Sequence, residues 1–221
     1  MDSRKIAFLA AAAAPLFLTS CVGDFLQPKE DPTRYYVLSS ASTPETVPGA
    51  ENVMLNISQV RIPAYMSRQQ IVSKAAGSPE VMISDFNRWP EYPVDSFTRV
   101  IATDISKMVR SQNVYAYPGM APEKDAITLR VIIVECIGQV GGKLDFKARW
   151  ELVKPSGAKT EAQTARLFVR EIPSGAGYIG YAVAVERALN ELSLDIAKGL
   201  VEFKKGLAEA EDGGAPSVPA K

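Results

Sequence analysis

Apolar residues recur along this chain with two different spacings, and the two spacings separate helices from strands. Residues 93–111 and 178–203 repeat at three to four positions, which is the period of a helix with one buried face. The apolar stripe of the first segment consists of Val94, Phe97, Ile101, Ile105 and Met108. Pro93 suits the first turn of that helix. The pattern therefore predicts two amphipathic helices, the second longer than the first.

Alternation of apolar and polar residues predicts the strands. The clearest case is residues 143–153, where apolar side chains from Leu144 to Leu152 alternate with charged ones. This is typical of a half-buried antiparallel strand, and we interpret its charged face as a solvated surface rather than a site. Further strands are predicted over residues 35–39, 53–62, 71–74, 80–84, 114–117, 126–137 and 162–171.

The order of these elements is strands, helix, strands, helix. Three consecutive antiparallel candidates lie between the two helices. This order predicts an α+β domain, with a mostly antiparallel sheet and two helices packed on one face.

The N-terminus has the layout of a secretory signal that ends in a cysteine. Arg4 and Lys5 precede an apolar run over residues 6–17, which is too short to span a membrane. The sequence LTSC that follows resembles a bacterial lipobox, which implies cleavage after residue 20 and lipidation of Cys21. The alternative is an ordinary secretory signal with a chance cysteine. Val22 follows the cysteine where an Asp would favour the inner membrane, so the outer membrane is favoured by resemblance to enterobacterial sorting rules.

The rest of the chain divides into three parts. Residues 21–33 carry two prolines and several charges, and we interpret them as a lipidated tether. Residues 34–207 form the predicted domain. Residues 208–221 lack an apolar period and are predicted to be a disordered tail.

Composition excludes several classes of function. The 221 residues include 25 basic and 25 acidic side chains, so there is no basic excess to attract nucleic acid. There is no histidine, which excludes histidine triads and histidine-ligated metals. Cys136 lies in an apolar run, has no intramolecular partner once Cys21 is lipidated, and is predicted to be a buried small hydrophobe. We predict no metal and no cofactor.

One nucleotide-binding motif is present as a literal match. Residues 175–180 read GAGYIG, which fits GxGxxG, and Asp195 lies 20 residues beyond Gly175. A dinucleotide site also needs a second parallel strand that ends at the acidic residue, and here Asp195 falls inside the predicted helix. We therefore interpret the motif as a loop that enters a helix. With no nucleophile elbow or phosphate-binding loop in the sequence, we do not expect an enzyme.

Two proline-punctuated segments combine arginine with aromatic residues. Such residues in loops are the usual anchors of protein interfaces. The candidate partner interface consists of Arg61, Tyr65, Arg68, Arg88, Trp89 and Tyr92. The alternative, which the residues leave equally open, is that Tyr65 and Trp89 fill the domain's own core beneath the loops.

The same segments resemble a known family, the auxiliary lipoproteins of ABC-type transport systems. These PqiC-like proteins are associated with MCE-domain lipid transporters. The matching segments are RYYVLS (34–39), VRIPAYMSRQQIVSK (60–74), FNRWPEYPVDSFTRVIATDI (86–105), LDFKARWEL (144–152) and YAVAVERALNELSLDIAKGL (181–200). Met66 stands where the family usually has Leu, and Tyr92 interrupts the family's W-x-E-P segment.

The resemblance implies a non-catalytic subunit at the outer membrane. Its partners would be a periplasmic MCE-domain protein and the inner-membrane permease and ATPase of the system. A homo-oligomeric ring of this chain would match the symmetry of an MCE ring. Two alternatives stay open: a lipid-binding carrier or chaperone with an apolar pocket between helices and sheet, and a periplasmic hydrolase.

Overall fold

The computed structural model describes residues 30–119, 126–156 and 159–212. The chain divides into a unit that ends at Pro32 and a unit that begins at Thr33, and every element below belongs to the second unit. The predicted signal peptide, Cys21 and the tether as far as residue 29 lie outside the described residues.

Eight strands and two helices make up the described part of the chain. The strands are β1 (Arg34–Tyr35), β2 (Leu55–Ile57), β3 (Gln70–Lys74), β4 (Val81–Arg88), β5 (Val114–Ala116), β6 (Ile127–Gly138), β7 (Lys143–Ser156) and β8 (Lys159–Pro173). The helices are α1 (Pro93–Val109) and α2 (Gly177–Asp212), and a single 3₁₀ turn spans Ala64–Met66. The predicted α+β class is confirmed.

The strands form two sheets instead of the single predicted one. The large sheet has the order β5-β2-β6-β7-β8, and the small sheet has the order β1-β4-β3. The pairs β3–β4, β6–β7 and β7–β8 are antiparallel, as predicted for the long strands. Each parallel pair includes at least one very short strand: β2, of three residues, pairs with β5 and β6, and β1, of two residues, pairs with β4. Helix α1 lies between β2 and β5 in the chain and provides the crossover that a parallel pair needs.

The core lies between the helices and the inner face of the large sheet. Helix α2 packs on β7 and β8, and α1 packs on α2 and β5. The predicted alternation of β7 is confirmed, since Leu144, Phe146 and Trp150 are almost completely buried. The apolar stripe of α1 is buried as well, apart from Val94, which is only partly covered.

Two strand predictions differ from the structure at their ends. The strand predicted over residues 53–62 is regular only over Leu55–Ile57 and then continues as a single bridge between Arg61 and Ile132. The turn predicted at residues 154–157 is strand as far as Ser156, and β8 begins at Lys159; Gly157 of the predicted turn lies outside the described residues. Pro155 is accommodated because the register shifts between Lys154 and Pro155, and such irregularities tolerate a residue without an N–H.

Helix α2 is longer than its apolar stripe predicts. It continues to Asp212, so the predicted domain boundary at residue 207 falls inside the helix. Residues 204–212 contain Lys, Leu, Ala and Glu, which are strong helix formers even without a buried face. The rest of the predicted tail, residues 213–221, lies outside the described part of the chain. Neither described helix combines the length and the hydropathy needed to cross a membrane.

Candidate partner interface

Backbone hydrogen bonds bring the two predicted interface segments together. The N–H of Trp89 donates to the carbonyl of Gln69 over 2.7 Å. The amide Nε2 of Gln69 donates in turn to the carbonyl of Pro90 over 3.0 Å. We call residues 64–69 and 88–92 together the loop cluster. The sequence did not reveal this contact, because about 20 residues separate the two segments.

The two large aromatic residues of the loop cluster face inward. Trp89 is only 4% exposed and belongs to the hydrophobic core. Tyr65 is half-buried, and its hydroxyl accepts a hydrogen bond of 3.2 Å from the N–H of Cys136. Burial raises the pKa of Tyr65. Trp89 is therefore a core residue, as the alternative interpretation expected, and Tyr65 is only partly buried against that core.

The remaining predicted residues of the loop cluster reach its surface. Tyr92 is exposed and immediately precedes helix α1. Arg88 is half-buried, and its guanidinium donates to the carbonyl of Asp85. Arg68 is also half-buried, and its Nε has no hydrogen-bond partner among the described residues. Burying a guanidinium N–H without a partner is costly.

Arg61 points to a different part of the molecule. It pairs with Ile132 of β6, on the large sheet, and lines a groove on that sheet. The structure thus separates Arg61 from the other five predicted residues.

The small sheet adds exposed apolar residues that the sequence interpretation missed. Strand β4 pairs with β3 along one edge, whereas β1 covers only Asn87 and Arg88 on the other. Residues 81–86 thus form an edge without a strand partner in the described chain. The exposed apolar side chains of the small sheet are Tyr35, Val81, Met82, Ile83 and Phe86. The sequence does contain a sign of this exposure: VMI places three apolar residues in a row at the start of β4. Because successive side chains of a strand point to opposite faces, both faces carry apolar residues there.

An exposed apolar edge strand next to arginine and tyrosine side chains is suited to binding a protein. Its unpaired backbone N–H and C=O groups can form hydrogen bonds with a strand of another protein, and its side chains supply apolar contact area. Isolated soluble domains seldom expose such a cluster unless it is functional. We therefore define the candidate interface as the small sheet together with the exposed part of the loop cluster.

Cys136 lies beneath the loop cluster and is chemically protected. It is 2% exposed, as predicted for a buried small hydrophobe. Burial raises the pKa of its thiol to about 12, so almost none of the nucleophilic thiolate forms at neutral pH.

The glycine motif has a structural explanation. Helix α2 begins at Gly177, whose φ of +66° favours glycine. A Cβ on Gly180 would lie 2.2 Å from the carbonyl carbon of Gly175, so the chain can pass there only without a side chain. The prediction of a loop that enters a helix is confirmed.

The space beneath the loop cluster is tightly filled. Met66, Trp89, Cys136 and Tyr181 line a cavity of about 10 Å³. That volume is at the limit for one water molecule and cannot hold an acyl chain. The described residues include no cluster of three or more Cys, Asp or Glu side chains that could hold a metal ion.

Comparison with known proteins identifies the domain. The family model of the ABC-type transport auxiliary lipoprotein component matches residues 36–197. A crystal structure of an uncharacterized protein is 19% identical, with a TM-score of 0.61, and the match covers 76% of this chain and 98% of that one. The structure of protein XCC0632 from Xanthomonas campestris, assigned to DUF330, is 13% identical, with a TM-score of 0.61 and coverage of 80% and 99%. At these identities the two structures share the fold. No curated protein matches the chain.

Proposed function

The chain belongs to the family of ABC-type transport auxiliary lipoprotein components, and from this membership we propose that it serves an intermembrane lipid transport system as a non-catalytic subunit. Lipoproteins of transport systems act in the cell envelope. Within the envelope, we place this one at the periplasmic face of the outer membrane, held there by lipid on Cys21. Its task would be to dock the distal end of a periplasmic MCE-domain protein, and so to support the integrity of the envelope.

The observation that carries the proposal is the family match, which covers residues 36–197 and so nearly all of the predicted domain. The candidate interface supports a docking role, because it offers an apolar edge strand where a partner can bind. A carrier that encloses a lipid beneath the loop cluster is less well supported, since the cavity of about 10 Å³ there has no room for an acyl chain.

We include a ring of identical copies in the proposal. An MCE ring presents the same surface several times around its axis, and a ring of adaptors would use every copy of that surface. Mass photometry of the purified full chain in a neutral detergent would give the number of copies directly. A strictly monomeric particle, both alone and with the partner, would contradict the ring and leave the docking role standing.

The docking role can be tested by affinity purification of the tagged full chain from crosslinked envelopes. We expect an MCE-domain protein to be recovered with the wild-type chain. Ile83→Asp should reduce that recovery about tenfold, which corresponds to about 1.4 kcal/mol of binding free energy.

Val169→Asp is the matched control, because Val169 is also a strand residue and each of the two side chains is 47% exposed. Val169 lies on β8 of the large sheet, which is not part of the candidate interface. If wild type recovers no MCE-domain protein while other envelope complexes survive, the docking role is wrong. If both variants lose the partner equally, the assignment of the interface to the small sheet is wrong.

The anchor is tested separately by Cys21→Ser. The variant should leave the membrane pellet and appear in the soluble periplasmic fraction, because one or more acyl chains supply the membrane affinity. Separating inner from outer membranes on a sucrose gradient would place the wild-type protein. A Cys21→Ser protein that stays in the outer-membrane fraction would contradict lipidation as its means of attachment.

A further inference from the structure

A groove of about 460 Å³ crosses the outer face of the large sheet, on the side away from the helices. Its lining includes Ser58, Gln59, Arg61, Arg130, Arg149 and Glu151. These residues come from the segment after β2 and from strands β6 and β7. We call it the arginine groove.

Strand register places the arginines in one row with apolar residues. Arg61 bridges to Ile132, Ile132 is the partner of Arg149 on β7, and Arg149 is the partner of Leu167 on β8. Directly opposed side chains on one face of a sheet lie close together. The row therefore alternates arginine and apolar residues across four segments. Ile132 is 40% exposed and Leu167 is 56% exposed, so their apolar surface is open to a ligand.

The charges of the groove are unbalanced. Arg130 forms an ion pair of 2.9 Å with Glu151. Arg61 and Arg149, both exposed, form no ion pair with a carboxylate of the described residues. Three arginines against one glutamate leave a formal charge of +2 in the lining. The sequence interpretation took the charged face of β7 for a solvated surface, and strand pairing places Arg61, Ile132 and Leu167 in the same row as its Arg149.

The ligand that fits this lining carries a phosphate. Guanidinium groups present several N–H donors in a fixed plane and bind phosphate oxygens in pairs. A phosphate monoester carries a charge of about −1.5 to −2 at neutral pH, which balances the groove, whereas a carboxylate carries only −1. The tetrahedral phosphate can also accept hydrogen bonds from several directions at once, which suits donors that converge from three segments.

We propose that the arginine groove binds an amphiphile with a phosphate monoester head, the phosphate lying over Ile132 between Arg61 and Arg149 and the apolar part lying beyond Arg149, over Leu167. This site is distinct from the candidate interface on the small sheet. The proposed binding goes beyond the docking role and is tested independently of it, because it is measured on the purified chain without a partner.

Calorimetric titration of the full chain in a neutral detergent tests the proposal with three water-soluble probes. Dihexanoyl phosphatidic acid has both the phosphate and the apolar part, inorganic phosphate has only the first, and dihexanoylglycerol has only the second. We expect dihexanoyl phosphatidic acid to bind at least tenfold more tightly than either of the others. If inorganic phosphate binds as tightly as dihexanoyl phosphatidic acid, the groove is a site for free phosphate and the proposal of an amphiphile is wrong. If neither phosphate probe binds, the proposed site is wrong altogether.

Variants locate the binding. Arg61→Gln and Arg149→Gln should each weaken the binding of dihexanoyl phosphatidic acid at least tenfold. The affinity of Arg149→Lys should lie between those of wild type and Arg149→Gln, because lysine keeps the charge but lacks the paired N–H donors of the guanidinium. Arg187→Gln is the matched control, since it removes the same charge from an exposed side chain on α2 that already pairs with Glu191. Equal losses in all the glutamine variants would mean that only net charge matters, which overturns the groove as the site.

Two further measurements complete the test. Thermal unfolding of each variant should match wild type, because both groove arginines are exposed. Competition with an acidic peptide should leave phosphatidic acid bound. A peptide that displaces it at equal concentration would assign the groove to protein binding and overturn the proposal.

Discussion

The indole Nε1 of Trp150 donates a hydrogen bond of 2.8 Å to Oδ2 of Asp195. Trp150 lies on the inner face of β7 and is fully buried, whereas Asp195 lies on α2. A buried indole N–H requires an acceptor, and this one joins the longest helix to the large sheet. Asp195 is also the acidic residue that lies 20 residues beyond Gly175 of the glycine motif, and in the folded chain its carboxylate accepts a hydrogen bond from the buried Trp150.

Asp195→Ala should destabilise the domain by about 1–3 kcal/mol, because it leaves the Trp150 N–H without a partner. Asp195→Asn keeps a carbonyl oxygen at the same position and should recover most of the loss. Urea unfolding followed by tryptophan fluorescence would measure both. Equal stability of wild type and the alanine variant would mean that water replaces the carboxylate without cost.

Helix α2 approaches the same tryptophan at a glycine. A Cβ on Gly199 would lie 2.3 Å from Cη2 of Trp150, within the buried core. Gly199→Ala should therefore destabilise the domain, since overpacking costs about 1–3 kcal/mol and the gain in helix propensity offsets only about 1 kcal/mol of it.

Gly206→Ala is the control on the same helix, because a Cβ there has no atom within 4 Å. That variant should gain about 1 kcal/mol from helix propensity alone. Thermal unfolding of the two variants should thus shift in opposite directions. A gain in both would show that α2 can move away from Trp150.

Asp104 should make stability depend on pH. Its Oδ1 accepts a hydrogen bond of 2.8 Å from the N–H of Ala41, while its Oδ2 is buried without a partner among the described residues. Burial raises its pKa above the usual 3.8. The folded state then holds the proton more tightly than the unfolded state does. The stabilisation is complete below the usual pKa and is lost as pH rises through the raised value.

Asp104→Asn cannot ionise and should lose this contribution to the pH dependence. Chemical unfolding from just below 3.8 up to neutral pH should therefore show a smaller fall in stability for the variant than for wild type. An identical slope in the two proteins would mean that the Asp104 carboxyl is as well solvated in the folded state as in the unfolded chain.

Trp89 and Tyr92 should separate stability from binding. Trp89→Ala removes a buried side chain and should cost about 3–5 kcal/mol. Tyr92→Ala removes an exposed side chain and should change stability by no more than about 0.5 kcal/mol. If Tyr92 anchors a partner, its alanine variant should weaken recovery of that partner while melting like wild type. A large loss of stability in Tyr92→Ala would assign it to the core instead.

The sequence predicted most of the regular structure, because helix and strand periods are properties of neighbouring residues. Both helices, the strands β6, β7 and β8, and the burial of Cys136 follow from spacing and hydropathy alone. The ends of elements were less predictable. Helix α2 extends beyond its apolar stripe through residues with high helix propensity, and β7 continues past Pro155 through an irregular register.

The candidate site was only partly predictable. The arginine and aromatic residues of the loop cluster were identified from their type and their prolines, but the inward position of Trp89 was left open. The exposure of β4 was missed, because an apolar strand in a sequence is normally a buried one.

By itself the sequence determined the class of the fold, the order of its elements and, through family motifs and the lipobox, the expectation of an envelope lipoprotein. Only the tertiary structure decided which strands share a sheet, which apolar residues stay exposed, and that Arg61 and Arg149 line one groove. The reason is physical: periodicity tells each residue which side of its own element it occupies. What covers that side depends on contacts between segments distant in the chain, which are fixed only when the whole core packs.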